Sequence, residues 1–99
     1  MYRQQKIALV LTTFNEQRLI GATLEAVPEI IDHVYVVDDA SQDQTRQIVL
    51  DHARQDPRIQ LLVHDKNQGV GQVIITGYSH SSKDEYDITV VAGGDHQMP

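Results

Sequence analysis

Ninety-nine residues are enough for one domain and not for two, and a chain of this size buries only about two thirds of the surface it exposes when unfolded. A hydrophobic share of 40% and a charged share of 22% are ordinary for a globular protein and argue against disorder. The absence of cysteine excludes disulfides, zinc–thiolate sites and thiol catalysis, and a net charge of −6 argues against a general nucleic-acid binder, because no basic stripe is available to neutralise phosphates.

The polar stretch Met1–Lys6 leads into the first apolar run, Ile7-Ala8-Leu9-Val10-Leu11, which is continuously apolar as a strand buried on both faces should be. That run is too short for a signal peptide or a membrane span, so a cytoplasmic chain is expected, with any membrane contact left to a longer parent. Segment Glu16–Val27 sets Leu19, Ile20, Leu24 and Val27 at helical spacing, and Pro28 ends it. A second strand, Val34-Tyr35-Val36-Val37, is β-branched and aromatic. Ser41 or Asp43 can cap the next helix, which runs to about Arg54 with Ile48, Val49 and Ala53 facing inward, before Asp56-Pro57 breaks it. Ile59–Val63 makes a third strand. Gly69–Ser82 reads as a third helix with Val70, Val73, Ile74, Gly77 and Tyr78 on one side, although an interior glycine costs roughly 1 kcal/mol relative to alanine. Ile88–Ala92 is the fourth strand. A βαβαβαβ alternation with apolar strands predicts an α/β fold, a Rossmann-like parallel sheet covered by helices on both faces.

In such sheets ligands bind beyond the carboxyl ends of the strands, which directs attention to four segments. After strand one, Thr12 and Thr13 offer hydroxyls and Phe14 a flat face for stacking; Thr13 or Asn15 could equally be a helix cap, with Glu16 favourable in the first turn. Strand two ends in Asp38-Asp39, adjacent carboxylates that face opposite sides. One can accept a hydrogen bond from a base N–H while the other holds the loop, and Asp39 is the functional candidate; capping is the favoured reading of Ser41 and Asp43. After strand three, Asn67-Gln68-Gly69-Val70-Gly71 has glycines that admit close backbone approach and a helix start whose N–H groups suit an anion, with Lys66 as an added charge. It is not a dinucleotide-binding fingerprint, because Ile74 stands where the third glycine belongs and the loop does not follow the first strand. Strand four runs into Gly93-Gly94-Asp95-His96, where Asp95 suits a hard divalent cation and His96 is more simply a surface group; a plain glycine turn would look the same.

Together the four strand ends resemble the family-2 glycosyltransferases of GT-A fold, in particular the dolichyl-phosphate mannosyltransferase-like group. Val10-Leu11-Thr12-Thr13-Phe14-Asn15-Glu16 is similar to the opening Ile-Pro-Ala/Thr-Tyr-Asn-Glu motif, and Val36–Thr45 to Val-Val-Asp-Asp-Gly-Ser-x-Asp-x-Thr. Asn67–Gly71 resembles the Asn-x-Gly-x-Gly loop, and Asp95-His96-Gln97-Met98 the second half of Asp-x-Asp-x-Gln-His/Met. Thr12 replaces the usual proline, Phe14 the usual tyrosine, and Gly93 the first aspartate of the metal motif. The resemblance implies a nucleotide pocket built from Thr12, Phe14, Glu16, Val37, Asp39, Asn67, Gly69 and Gly94. Phe14 would lie near the base, Glu16 toward the ribose, and Asp39 would accept from the base of a UDP- or GDP-sugar. It implies Asp95 as the ligand of Mg²⁺ or Mn²⁺ against the diphosphate, and inversion at the sugar. The acceptor-binding half and the catalytic base are expected beyond Pro99, so no catalytic residue is assigned and the 99 residues are expected to form a truncated GT-A fold that binds donor and is inactive alone. An edge exposed at strand four or strand one would favour a homodimer or aggregation. A non-catalytic nucleotide-binding or interaction module is the alternative. A sugar-phosphate nucleotidyltransferase is disfavoured, because Thr12–Glu16 lacks a glycine-rich basic loop.

Overall fold

The computed structural model describes residues 1–93. The elements are β1 (Ile7–Thr13), α1 (Ile20–Glu25), β2 (His33–Asp38), α2 (Thr45–Gln55), β3 (Ile59–Val63), α3 (Val70–Lys83) and β4 (Ile88–Gly93). All strand pairs are parallel and the sheet order is β3-β2-β1-β4, the Rossmann-like α/β arrangement expected from the alternation. Asp95, expected to hold the metal, Gly94, expected in the nucleotide pocket, and His96 lie outside the described residues.

The period-2 alternation of each strand divides the core in two. Ile7, Leu9 and Leu11 of β1 join Val34 and Val36 of β2 against Ile20 and Leu24 of α1 and Val49 of α2. Ala8 and Val10 join Tyr35 and Val37 against Val73 of α3 on the other face. Helices therefore cover both faces, which is why Ile7–Leu11 of β1 and Val34–Val37 of β2 are apolar without interruption. Gly77 marks the closest approach of α3 to the sheet: a Cβ there would sit 2.3 Å from Val10 Cγ1. Its helical cost is the condition for that contact.

Four local expectations need correction. α1 begins at Ile20 rather than Glu16, because Asn15 takes a left-handed φ of 52° and the next amides bond outward to another loop; Leu19 is consequently exposed. Neither Thr13 nor Asn15 caps that helix, whose N-cap position is Leu19. On α3 the buried face is Val73, Gly77 and Ser81, spaced by four, while Val70 and Tyr78 are exposed. Finally, β1 is an interior strand flanked by β2 and β4, so the sheet edges among the described residues are β3 and β4. Strand order cannot be read from alternation, because a parallel crossover can return on either side of the first strand. No helix among the described residues is long and apolar enough to cross a membrane.

Candidate functional site

The chain passes from β1 to β2 on one side and returns to β4 on the other, so a crevice opens at the carboxyl ends of β1 and β4. Thr12 and Gly93 are partners in the register there. A cavity of about 200 Å³ occupies the place, walled by Thr12, Phe14 and Glu16 from β1 and its loop, Asp39 from β2, Val70 and Val73 from α3, and Gly93 from β4, with Thr13 beside them. Phe14 is 44% exposed, leaving ring area open to a ligand. A larger cleft of about 470 Å³ lies at the other end of the sheet, where Asp56 and the carbonyls of Pro28 and Ile31 already bind Arg58.

Asp38 and Asp39 leave β2 on opposite faces, as the strand period dictates. Asp38 is fully buried on the α1/α2 side, where it accepts from the Ser41 amide at 3.0 Å, from the Ser41 hydroxyl, and from Arg46 Nε at 2.8 Å. Asp39, on the α3 side, accepts from the amides of Gln68 at 2.8 Å and Gly69 at 2.9 Å and lies 3.0 Å from His64 Nδ1. Each carboxylate therefore holds a different loop. Burial pushes the Asp39 carboxyl up, but the Gln68 amide, the His64 ring and the Gly69 amide outweigh it and hold the group below the ordinary carboxylate range.

The loops that carry these groups are sewn together. The amides of Asn15, Glu16 and Gln17 donate to Ser41 Oγ at 2.8 Å, Thr45 Oγ1 at 2.8 Å and Asp43 Oδ2 at 3.3 Å. In return, the amides of Gln42 and Gln44 donate to Asn15 Oδ1 and Gln17 Oε1 at 2.8 and 3.0 Å. Ser41 thus ties two strand ends instead of capping α2. Asp43 does serve the start of α2, accepting the Thr45 amide at 2.9 Å; burial raises its carboxyl, and the Thr45 hydroxyl and amide with the Gln17 amide more than reverse that.

Of the sequence-derived pocket residues, Thr12, Phe14, Glu16 and Asp39 meet at the cavity. Val37, Asn67 and Gly69 do not line it. Val37, the register partner of Thr12, is fully buried; Asn67 Nδ2 donates to the Asp39 carbonyl at 3.4 Å; Gly69, with φ of 88°, turns its amide onto the Asp39 carboxylate. The helix start expected to face a ligand anion is thus already facing a side-chain anion. Two features escaped the sequence reading. His64 is buried against Asp39, and Thr13 Oγ1 is buried with no hydrogen-bond partner among the described residues.

The model of the glycosyl transferase family 2 matches residues 8–99. The undecaprenyl-phosphate mannosyltransferase of Micrococcus luteus is 34% identical over 98 residues, covering 93% of this chain and 40% of that protein. Among solved structures, a mannosyltransferase from Pyrobaculum calidifontis in complex with GDP-Man and Mn²⁺ superposes with a TM-score of 0.80 at 24% identity, over 95% of this chain and 28% of that one. Glucosyl-3-phosphoglycerate synthase from Mycobacterium tuberculosis, in complex with Mn²⁺, UDP and glucosyl-3-phosphoglycerate, gives 0.70 at 18% identity, over 92% and 34%. The chain therefore has the fold of these enzymes and spans about 40% of the length of the curated relative.

Proposed function

Because the chain belongs to glycosyl transferase family 2, we propose that the cavity at the ends of β1, β2 and β4 receives the nucleoside diphosphate of a sugar donor. The observation that carries this reading is the meeting of Thr12, Phe14, Glu16 and Asp39 around one cavity at the switch in strand order. Phe14 stacks on the base and Glu16 reaches the ribose. A carboxylate offers about four acceptor sites, and the contacts of Asp39 fill two on Oδ1 and one on Oδ2. One site on Oδ2 is left for the imide N–H that uracil and guanine share, so the donor is a UDP- or GDP-sugar. Val37, Asn67 and Gly69 act behind Asp39 by fixing it, and Gly94 allows the donor to approach the backbone.

Asp95 is proposed to hold Mg²⁺ or Mn²⁺. Gly93, two residues before it in sequence, walls the cavity. A divalent cation supplies charge compensation for the diphosphate as the nucleotide leaves. That accounts for how a chain of net charge −6 accepts an anionic donor. These residues supply the donor-binding part of an inverting, metal-assisted transfer, carried out at the cytoplasmic side of the cell. The name of the Micrococcus luteus relative supports a polyprenyl phosphate as acceptor.

Calorimetric titration of the 99-residue protein with UDP and with GDP, with and without Mn²⁺, tests the reading. One of the two nucleotides binds, and Mn²⁺ tightens it in the wild type but not in Asp95→Ala. Binding of neither nucleotide rejects the donor site, and Mn²⁺ dependence that survives Asp95→Ala removes Asp95 from the metal.

A further inference from the structure

His64 follows β3 directly and is 8% exposed, buried between the end of β2 and α3. Its amide donates to the Asp38 carbonyl at 2.9 Å, which fixes the backbone beside the two carboxylates. Its ring spans from Asp39 Oδ1, 3.0 Å from Nδ1, to Thr76 Oγ1 on α3, 2.8 Å from Nε2. An ionised carboxylate accepts and cannot donate, so the hydrogen of the neutral imidazole must sit on Nδ1. Nε2 is then the acceptor, and the Thr76 hydroxyl is its donor. The ring has no freedom to flip, since a half-turn would replace both nitrogens by C–H groups and lose the bonds to Asp39 and Thr76.

The consequence reaches the cavity. Among the described residues His64 and Gln68 together fill Oδ1, whereas Oδ2 takes the Gly69 amide alone. We propose that His64, set as the Nδ1–H tautomer by Asp39 and anchored at Nε2 by Thr76, is a positioning residue that locks the Asp39 carboxylate so that Oδ2 is left to receive a base N–H. Without the ring, the carboxylate is held by two amides of one loop and can swing about them, and the open acceptor site no longer has one direction. Its role rests on the donor-site reading above, and it makes His64 and Thr76 determinants of base recognition although neither lines the cavity.

Two measurements test this. In the free ¹⁵N-labelled protein at pH 8, the ring shifts of His64 report a protonated Nδ1 and an unprotonated Nε2; an Nε2–H tautomer overturns the proposal whatever nucleotide binds. Calorimetry then compares whichever of UDP and GDP the wild type binds with its counterpart methylated on the imide nitrogen, which has no N–H to give. The wild type prefers the parent nucleotide by about tenfold, the worth of one charge-assisted hydrogen bond. His64→Leu lowers the parent's affinity to that of the methylated form while leaving the latter within about twofold, as one lost bond and no wider disturbance requires. His64→Asn, which offers an amide N–H close to the position of Nδ1, restores most of the preference. Thr76→Val, isosteric and milder, reduces it by roughly threefold, the smaller effect of loosening an anchor. A wild type that binds neither nucleotide removes the donor-site reading. A wild type that discriminates, with His64→Leu and Thr76→Val discriminating equally well, removes His64 alone. Equal losses for both nucleotides in His64→Leu mean a general structural role and also overturn the proposal.

Discussion

The carboxylate of Asp39 accepts from the amide of Gly69 at 2.9 Å, so a side chain from the end of β2 occupies the amino-terminal end of α3. Helix starts present unpaired N–H groups and partial positive charge, and here an internal anion meets both. The arrangement exchanges one role for another. The amides of Gln68 and Gly69 are no longer offered to a phosphate, and in return a fixed negative acceptor stands beside the α3 wall of the cavity.

Asp39→Asn is therefore expected to weaken the fold as well as the site. The amide group has the shape of the carboxylate but must turn either an NH₂ or a single neutral oxygen toward donors on Gln68, Gly69 and His64. Leaving a buried donor unmatched costs about 1–3 kcal/mol. Urea denaturation should show a lower midpoint with an unchanged slope, and nucleotide binding should fall with it. An unchanged midpoint would mean that the loop does not depend on the charge.

Acid sensitivity follows from the same contacts. Asp39 and Asp43 are held below the ordinary carboxylate range against the effect of burial, and Asp56 is held there mainly by its hydrogen bonds from Arg58. The folded state therefore binds fewer of these protons than the unfolded state, and stability rises with pH across the interval between the folded and unfolded values. Their contribution is complete above the unfolded value of about 4 and is lost as pH falls through the depressed folded values. Thermal midpoints should be flat from about pH 6 to 5 and drop steeply below about pH 4. In Asp39→Asn the drop should be shallower, because one of the linked groups is gone.

Much of this was legible in the sequence, for reasons that differ by element. The strands were, because burial on both faces demands unbroken apolar runs such as Ile7–Leu11. The opposite facing of Asp38 and Asp39 was, because side chains alternate along a strand. Their partners were not: which loop each carboxylate holds depends on where Gln68, Gly69, Ser41 and Arg46 arrive in space. The start of α1 was misplaced because Glu16–Leu19 carries the helical spacing, while tertiary bonds from Ser41, Thr45 and Asp43 claim the amides around it. His64 carried a faint signal, a histidine at a strand end with a hydroxyl twelve residues on at Thr76, and nothing in one dimension says that the two meet.

Gly77→Ala is expected to destabilise even though alanine is the better helix former. The gain in propensity is about 1 kcal/mol. Against it, the new methyl would lie 2.3 and 2.8 Å from Val10 Cγ1 and Cγ2, in a fully buried side chain on an interior strand. Overpacking of this kind costs about 1–3 kcal/mol, and contacts this short belong at the upper end, so a net loss approaching about 2 kcal/mol is predicted by denaturant titration. Adding Val10→Ala to Gly77→Ala should recover part of the loss, since the smaller side chain makes room; simple additivity would exclude the clash as its cause.

Thr13→Val should do the reverse. The Thr13 side chain is almost wholly buried on the α1/α2 side of β1, and its hydroxyl oxygen meets no partner among the described residues. An unmatched buried hydroxyl costs about 1–3 kcal/mol, and valine fills the same volume without it while suiting a strand better. A stabilisation of about 1 kcal/mol in the free protein is expected. Thr13 also borders the cavity, so the comparison with nucleotide bound is the sharper one. Stabilisation that persists in saturating nucleotide assigns the hydroxyl no part in binding, while its disappearance there would give Thr13 a ligand contact.

The open side of the sheet sets the last expectation. β4 pairs only with β1 among the described residues, so its outer backbone groups face away from the sheet, and Val90 beside them is 42% exposed. Leu9, Leu11, Val27 and Ile31 border an apolar recess of about 300 Å³ on the same flank, again with Val90. An unguarded edge next to an apolar surface is a template for pairing with a second chain. Sedimentation velocity of the 99-residue protein should show a concentration-dependent dimer. Val90→Lys, placing a charge on that edge, should shift it to monomer without lowering the thermal midpoint by more than a few degrees, because exposed positions carry little stability. A monomer at all concentrations, or a dimer indifferent to Val90→Lys, would place self-association elsewhere than at β4.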